Sequence, residues 1–305
     1  MDCKLIISRR GTTTVELTQC ISFSLIRDRY LPYSILRAKC IAQRNLYNYP
    51  CKAQFYLDGV LLHEGIIEQF SSELQDSTRF VTVVSKGYSA ALLHNQPKPG
   101  IYTSATLDTL MTLYELPHVT YEQGVAESRY MYVKDQTSMW EMLRHYTFLL
   151  NGGTPYVTVP NHIRVTKKES PAQFTVPASK VIRKGECADL TRMVSRVDMA
   201  DASGEYGVYS STNPDAAACE ITRIKQILLD RQYLSDPIKA TEFRIRHSME
   251  KMRSEYVEYL GYGGEDLGDI VTATGFAYGE VGRIELYGGQ HGLRTVIHYY
   301  YDPFQ

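Results

Sequence analysis

Two segments near opposite ends of the chain repeat one pattern, and a repeated β-unit restricts the fold more than any other feature here. The first is Gly65-Ile66-Ile67-Glu68-Gln69-Phe70, followed by Arg79-Phe80-Val81-Thr82-Val83-Val84. The second is Gly282-Arg283-Ile284-Glu285-Leu286-Tyr287, followed by Arg294-Thr295-Val296-Ile297-His298-Tyr299. Both read Gly-x-Ile-Glu-x-aromatic, a short polar turn, then an Arg-led β-branched run. The spacing is 14 residues from Gly65 to Arg79 and 12 from Gly282 to Arg294. Each copy follows another strand-like stretch, residues 57–62 and residues 267–272. Branched and aromatic side chains suit a half-buried pleat, so the pattern predicts one barrel scaffold built twice. Gly65, Ile67 and Phe70 then take the same core positions as Gly282, Ile284 and Tyr287. Such duplication is the logic of an assembly part more than of a catalytic pocket.

The rest of the chain fits a β-rich α+β protein, with two similar barrels bracketing a small α/β domain. Within 1–93, short runs at 3–8, 14–19, 21–26, 35–43, 53–57, 60–69 and 79–85 are rich in β-formers. They are separated by breaks at Arg10-Gly11, Asn45, Asn48 and Asp58-Gly59. Asp58-Gly59 is a tight-hairpin signal, because Gly accepts the positive φ of a primed turn. Asn95-Gln96-Pro97-Lys98-Pro99-Gly100 marks a boundary, after which the apolar period turns helical over 106–116 until Pro117. Ser138 and Glu141 form a capping box for a helix with Met139, Met142, Leu143, Tyr146 and Leu150 on one face, ended by Asn151-Gly152-Gly153. A hairpin at 155–166 completes the 94–170 domain. The 171–305 domain reads as strands at 188–198, 207–210, 221–228 and 268–274. It also carries a helix of about 236–260, opened by Asp236-Pro237, whose stripe is Ile245, Met249, Met252, Tyr256 and Tyr259.

Composition excludes several classes. The 305 residues are 44% hydrophobic and 22% charged with a formal charge of -1, which gives no basic field for specific nucleic-acid binding. No apolar run is long enough to span a bilayer, so no membrane insertion is expected, and the opening Met-Asp-Cys-Lys is not an apolar signal region. The six cysteines contain no Cys-x-x-Cys pair and read as buried reduced thiols, Cys187 and Cys219 included. Glu141 and His145 read as a solvated helix face, Gly261-Tyr262-Gly263-Gly264 as a helix-ending loop, and Glu265-Asp266 as a solvated turn. Lys167-Lys168 and Arg9-Arg10 read as solvated pairs. His-Glu-x-x-His and Gly-x-Ser-x-Gly patterns are missing, so no metal, cofactor or catalytic residue is assigned. Tyrosine is abundant, 24 residues against 9 Phe and 1 Trp, and Tyr299-Tyr300-Tyr301 is a candidate subunit seam.

The order of elements resembles the tail hub proteins of contractile phages, the late-control-D and baseplate-hub type, in the shorter form of Gram-positive prophages and tail-like bacteriocins. The residues that carry it are Val83–Leu92, Thr106-Leu107 with Leu110, Val133–Leu150, Pro155–Val165, and Leu267-Gly268-Asp269-Ile270-Val271. The segment 236–261 is the least familiar part. The resemblance implies a structural hub without chemistry, made in the bacterial cytoplasm and assembled into a virion or tail-like particle. Three copies with two barrels each would match a six-fold tail tube protein to a three-fold central spike protein, beside tape-measure and LysM-type baseplate proteins. The alternative is a glycan- or peptidoglycan-binding or -cleaving component of the same particle.

Overall fold

The computed structural model describes residues 2–9, 14–43, 50–229, 236–274 and 278–301. The expected breaks at Arg10-Gly11, Asn45 and Asn48 lie outside these. Seven strands open the chain: β1 (Cys3–Arg9), β2 (Thr14–Leu17), β3 (Cys20–Asp28), β4 (Ile35–Ala42), β5 (Pro50–Leu57), β6 (Val60–Gln75) and β7 (Thr78–Gly87). Alternation builds them. In β4 every second side chain, from Leu36 to Ala42, is buried while Arg37 and Lys39 face solvent. Asp58 and Gly59 both take positive φ at the β5–β6 turn.

The middle region holds α1 (Ala91–His94), β8 (Gly100–Ala105), α2 (Leu107–Met111), β9 (Thr120–Tyr121), β10 (Arg129–Val133), α3 (Met139–Asn151), β11 (Tyr156–Thr158) and β12 (His162–Arg164). The capping box of α3 is present, with Ser138 accepting from the Glu141 N–H and the Glu141 carboxylate accepting from the Ser138 N–H; Gly152 ends the helix at φ 70°. A second capping box, Thr106 with Thr109, starts α2, which stops at Met111, short of Leu116. Met139, Leu143, Tyr146, Leu107 and Ile163 form the core of this unit.

The last third contains β13 (Gln173–Val176), β14 (Val181–Ala188), β15 (Arg196–Met199), β16 (Tyr209–Thr212), α4 (Pro214–Ala218), β17 (Ile224–Ile227), α5 (Pro237–Met249), β18 (Arg253–Leu260), β19 (Ile270–Ala273), β20 (Tyr278–Glu280), β21 (Arg283–Gly289) and β22 (Gly292–Tyr300). Two expectations are corrected. The strand expected at 188–198 is two strands, β14 and β15, parted by a turn in which Thr191 N–H donates to Asp189. The helix expected to reach about 260 stops at Met249, and Tyr256 and Tyr259 lie on β18. Lys251 at φ 64° breaks the helix, and two flanking strands, β14 and β22, pair with β18 along its length. Helix α5 packs with β15, β16, β17 and α4 around Met193, Val194, Val197, Ala216, Ile245 and Met249, a separate small core.

Eleven strands form one antiparallel-paired sheet in the order β14-β18-β22-β21-β3-β4-β7-β6-β5-β1-β2. It is rolled. The Phe23 and Phe55 rings, on strands four places apart, have centroids 4.7 Å apart, and β2 leads through Thr18-Gln19 straight back into β3. One core runs through both ends of the chain, from Leu5, Phe55 and Val83 to Val257, Ile284 and Ile297. The order repeats itself: β3-β4-β7-β6 and β14-β18-β22-β21 are the same arrangement, each hairpin led by a preceding pair, β5–β6 or β19–β20. The fold is thus β-rich α+β with a duplicated strand topology.

Candidate assembly interface

The duplicated hairpins occupy the same place in the repeated order, β6–β7 in one and β21–β22 in the other, and their details differ. Ile284 is buried at 1% exposure opposite Ile297, whereas Ile67 is only half-buried, opposite Ser85. Phe70 is half-buried opposite Val83; Tyr287 is half-buried opposite Arg294, whose guanidinium lies 4.8 Å over its ring. Burial first, then the Glu285 carboxylate bonded to its hydroxyl, pushes the Tyr287 phenol up to about 12. The Arg-led halves do not superpose in register: Arg79 sits opposite Leu74, Arg294 opposite Tyr287. A bulge at Glu68, between Ile67 and Gln69, and a longer tip in the first hairpin account for the different spacing.

The two glycines of the repeat are required by close approach. A Cβ on Gly65 would lie 2.0 Å from the Lys86 carbonyl oxygen, and one on Gly282 would lie 2.4 Å from the Tyr300 ring. The tyrosine triplet divides. Tyr299 is buried in the core at 7% exposure, Tyr300 is half-buried with its hydroxyl on Asp28, and Tyr301 stands in solvent beside Arg253. Of the three, only Tyr301 offers a surface to a neighbour.

The two repeated strand arrangements are joined by β21 lying antiparallel on β3, from Arg283 opposite Asp28 to Gly288 opposite Phe23. A buried charge network stitches this seam. Asp28, whose side chain is fully buried, accepts from Lys251 Nζ at 2.7 Å, Tyr300 Oη at 2.8 Å and the Tyr30 N–H at 3.0 Å, with Arg283 Nη1 at 3.4 Å. Burial and the Asp28 charge raise the Tyr300 phenol. Next to it, Arg27 donates to Asp266 at 2.8 Å, and the other Asp266 oxygen accepts the Val159 N–H at 2.8 Å. One carboxylate therefore ties the first barrel, the last third and the middle unit together. Asp269 gathers Lys168 Nζ at 2.7 Å and the N–H groups of Ala172 and Asp266, while Gly268 turns at φ 81° against Tyr156. Glu265, 2% exposed, accepts from the Tyr259 hydroxyl at 2.7 Å and the Gly263 N–H.

Several sequence expectations are corrected by these contacts. Glu265-Asp266 is a buried polar anchor rather than a solvated turn, because its carboxylates are saturated by donors. Gly261–Gly264 follows strand β18, so it does not end a helix. His145 is buried at 4% exposure, while Glu141 is exposed and spent on the helix cap. Cys3 and Cys40 are buried, but Cys187, on β14, and Cys219, at the end of α4, are exposed. Lys168 is paired with Asp269. Asp28 and Arg27 were missed, and an Arg-Asp pair at a strand end is no signal until its partner strand, some 255 residues later, is known.

A further buried group sits where the middle unit meets the first barrel. His63, fully buried, is hydrogen-bonded through Nδ1 to Ser34 Oγ at 2.7 Å and through Nε2 to Ser85 Oγ at 2.9 Å. Burial first, then the Arg27 charge, depresses the His63 imidazole to about 3. The folded state therefore favours the neutral ring, against an unfolded value near 6.5. Its stabilising contribution is complete above pH ~6.5 and is lost as pH falls toward 3, at up to about 1.4 kcal/mol per pH unit. The stability difference between the native chain and His63→Gln, measured by urea unfolding, should shrink between pH 7 and pH 4.5. A difference that is flat over that range would refute the role.

Among the described residues no group of three or more His, Cys, Asp or Glu is placed to hold a metal ion, and no helix is long and apolar enough to cross a membrane. No family model matches the sequence, and no curated protein matches it. Solved structures do match over almost the whole chain. A tail protein from Neisseria meningitidis MC58 superposes with a TM-score of 0.72 at 13% identity, over 98% of this chain and 96% of that one. The 43 kDa tail protein of prophage MuSo2 from Shewanella oneidensis gives 0.67 at 11% identity, over 97% of each. An Escherichia coli component of the type VI secretion system, described as structurally similar to the T4 bacteriophage tail proteins gp27 and gp5, gives 0.61 at 10% identity. That match covers 98% of this chain and 79% of that one. The fold is that of phage tail proteins and their secretion-system counterparts.

Proposed function

We propose that this chain is a structural hub of a phage tail or tail-like injection particle. It acts as a homotrimer that adapts a six-fold tail tube protein to a three-fold central spike protein. The observation that carries this reading is the duplicated order β3-β4-β7-β6 and β14-β18-β22-β21 within one chain. Two similar barrels per protomer let three copies present six comparable units on one side while remaining three-fold on the other. The tail-protein fold supports the same setting. Residues 1–93, 94–170 and 171–305 are its working domains, and tape-measure and LysM-type baseplate proteins are its further partners in the particle. Tyr301, exposed beside Arg253, belongs to the surface offered to neighbours in this reading.

The native mass of the full chain across a concentration series tests it. A trimer, or a monomer–trimer equilibrium, is the expected result. A firm dimer or tetramer would overturn the reading, since neither gives six barrels.

A further inference from the structure

Two of the six cysteines stand face to face. Cys20 opens β3 and lies directly opposite Cys40 on β4. Both are free thiols, and their sulfurs are 3.2 Å apart in a hydrogen bond. The Ile41 N–H donates to the Gln19 carbonyl at 2.9 Å, one step outside the pair. Cys20 and Cys40 are therefore a non-hydrogen-bonded pair. In an antiparallel ladder that is where side chains come closest, with Cα atoms about 4.5 Å apart. Such a separation falls within the roughly 4.4–6.8 Å that a disulfide spans, and closing the bond asks the sulfurs to approach by about 1 Å. The other cysteines are placed differently. Cys51 donates to the Ser8 carbonyl at 3.4 Å, Cys3 is buried on β1, and Cys187 and Cys219 are exposed on elements of the last third.

We propose that Cys20 and Cys40 are an oxidisable pair, closed by a disulfide oxidant into a cross-strand disulfide that clasps β3 to β4. The two thiols differ as this reaction requires. Cys20 is half-buried and follows the exposed Thr18 and Gln19, so an oxidant reaches it first; Cys40 is fully buried behind it. Hydrogen bonding with Cys40 holds the Cys20 thiol below its usual value against the effect of burial, while the same bond and then burial raise Cys40. The Cys20 thiolate, the attacking form, displaces one sulfur of the oxidant, which leaves as a thiolate and takes up a proton. Cys40 then loses its proton, and its sulfur attacks the Cys20 sulfur and expels the second half of the oxidant. Two protein thiols are oxidised by two electrons, and one small disulfide is reduced to two thiols.

The clasp acts on the strand that the rest of the fold depends on. β3 takes β4 on one edge and β21 on the other, and its far end carries Arg27 and Asp28 of the seam. A bond from residue 20 to residue 40 also restricts the unfolded chain. A chain made in a reducing compartment carries the pair open and closes it on reaching an oxidising medium. That timing rests on the tail-particle reading above, whereas the pair itself does not.

The test uses the full chain with Cys187→Ser and Cys219→Ser, which removes the exposed thiols. The reduced protein is incubated with oxidised glutathione, remaining thiols are alkylated, and a non-reducing tryptic digest is mapped by mass. The expected product is peptide 11–27 joined to peptide 40–44, lighter by two hydrogens than their sum and separated by dithiothreitol. The oxidised protein should also unfold at a higher urea midpoint than the reduced one, a shift that Cys20→Ser abolishes. Cys20 and Cys40 recovered alkylated, or Cys20 held as a lasting glutathione adduct, would overturn the pair. Peptide 11–27 joined to peptide 1–4 would overturn it in favour of Cys3. A disulfide between Cys20 and Cys40 with no rise in the midpoint would overturn the clasp. None of these results depends on the oligomeric state, so a failure here leaves the hub reading to its own test.

Discussion

Replacing Asp28 by alanine is expected to destabilise the chain by about 3–5 kcal/mol, the usual result of removing one partner from a buried charge network. The carboxylate is the common acceptor for Lys251, Tyr300 and the Tyr30 backbone, with Arg283 alongside, and its own side chain is fully buried. Alanine leaves the Lys251 ammonium and the Tyr300 hydroxyl without this acceptor, while Arg283 keeps Glu285 at 2.7 Å, and the half-buried donors left unpaired carry the cost. Tyr300→Phe removes a single hydrogen bond to the same carboxylate and should cost about 1 kcal/mol. The pair separates the network from the loss of one contact. Guanidinium unfolding measures both, and hydrogen exchange at the amides of residues 283–288 locates the damage at the seam. A change below about 1 kcal/mol for Asp28→Ala would mean that water already serves the cations.

Ile284→Asp should be comparably severe, on the order of 4 kcal/mol or more, because it places an unpaired carboxylate in a position that is 1% exposed and faces Ile297. Ile67→Asp, at the matching place in the other hairpin, should cost about 1 kcal/mol in the isolated chain, since the side chain is half-buried and the new charge can reach water. The equivalence expected from the repeat is therefore one of topology and not of burial. Ile67→Asp is therefore expected to fold, while Ile284→Asp fails at folding. Equal unfolding midpoints for the two variants would contradict this asymmetry.

Much of the architecture was legible from local pattern. Runs of β-formers between polar breaks located β1 to β7, and the Ser138–Glu141 box marked the start of α3, because both signals depend on residues a few positions apart. Where the reading failed, the deciding contact lay far away. Met249, Met252, Tyr256 and Tyr259 recur at spacings of three and four, a helical period, yet β14 and β22 claim residues 253–260 as the strand between them. Coverage on both faces erases the period-two signature, leaving Val257, Glu258 and Tyr259 buried in succession. Glu265-Asp266 looked like a solvated turn for the same reason: nothing nearby in sequence shows that Arg27 waits for Asp266. The repeat itself was visible, but the join it creates between β3 and β21 was not.

That join also sets a timetable. Strand β3 is complete once residue 28 has been made, but the strand that covers its edge begins at residue 283. At usual synthesis rates of about 5–20 residues per second the interval is about 13–50 s, far longer than a hairpin takes to form. For that time the edge of β3 stands without its partner strand. On a polysome, β3 of one nascent chain can accept β21 from an older neighbour that has already been released, a domain-swapped pairing built from correct contacts in the wrong molecule.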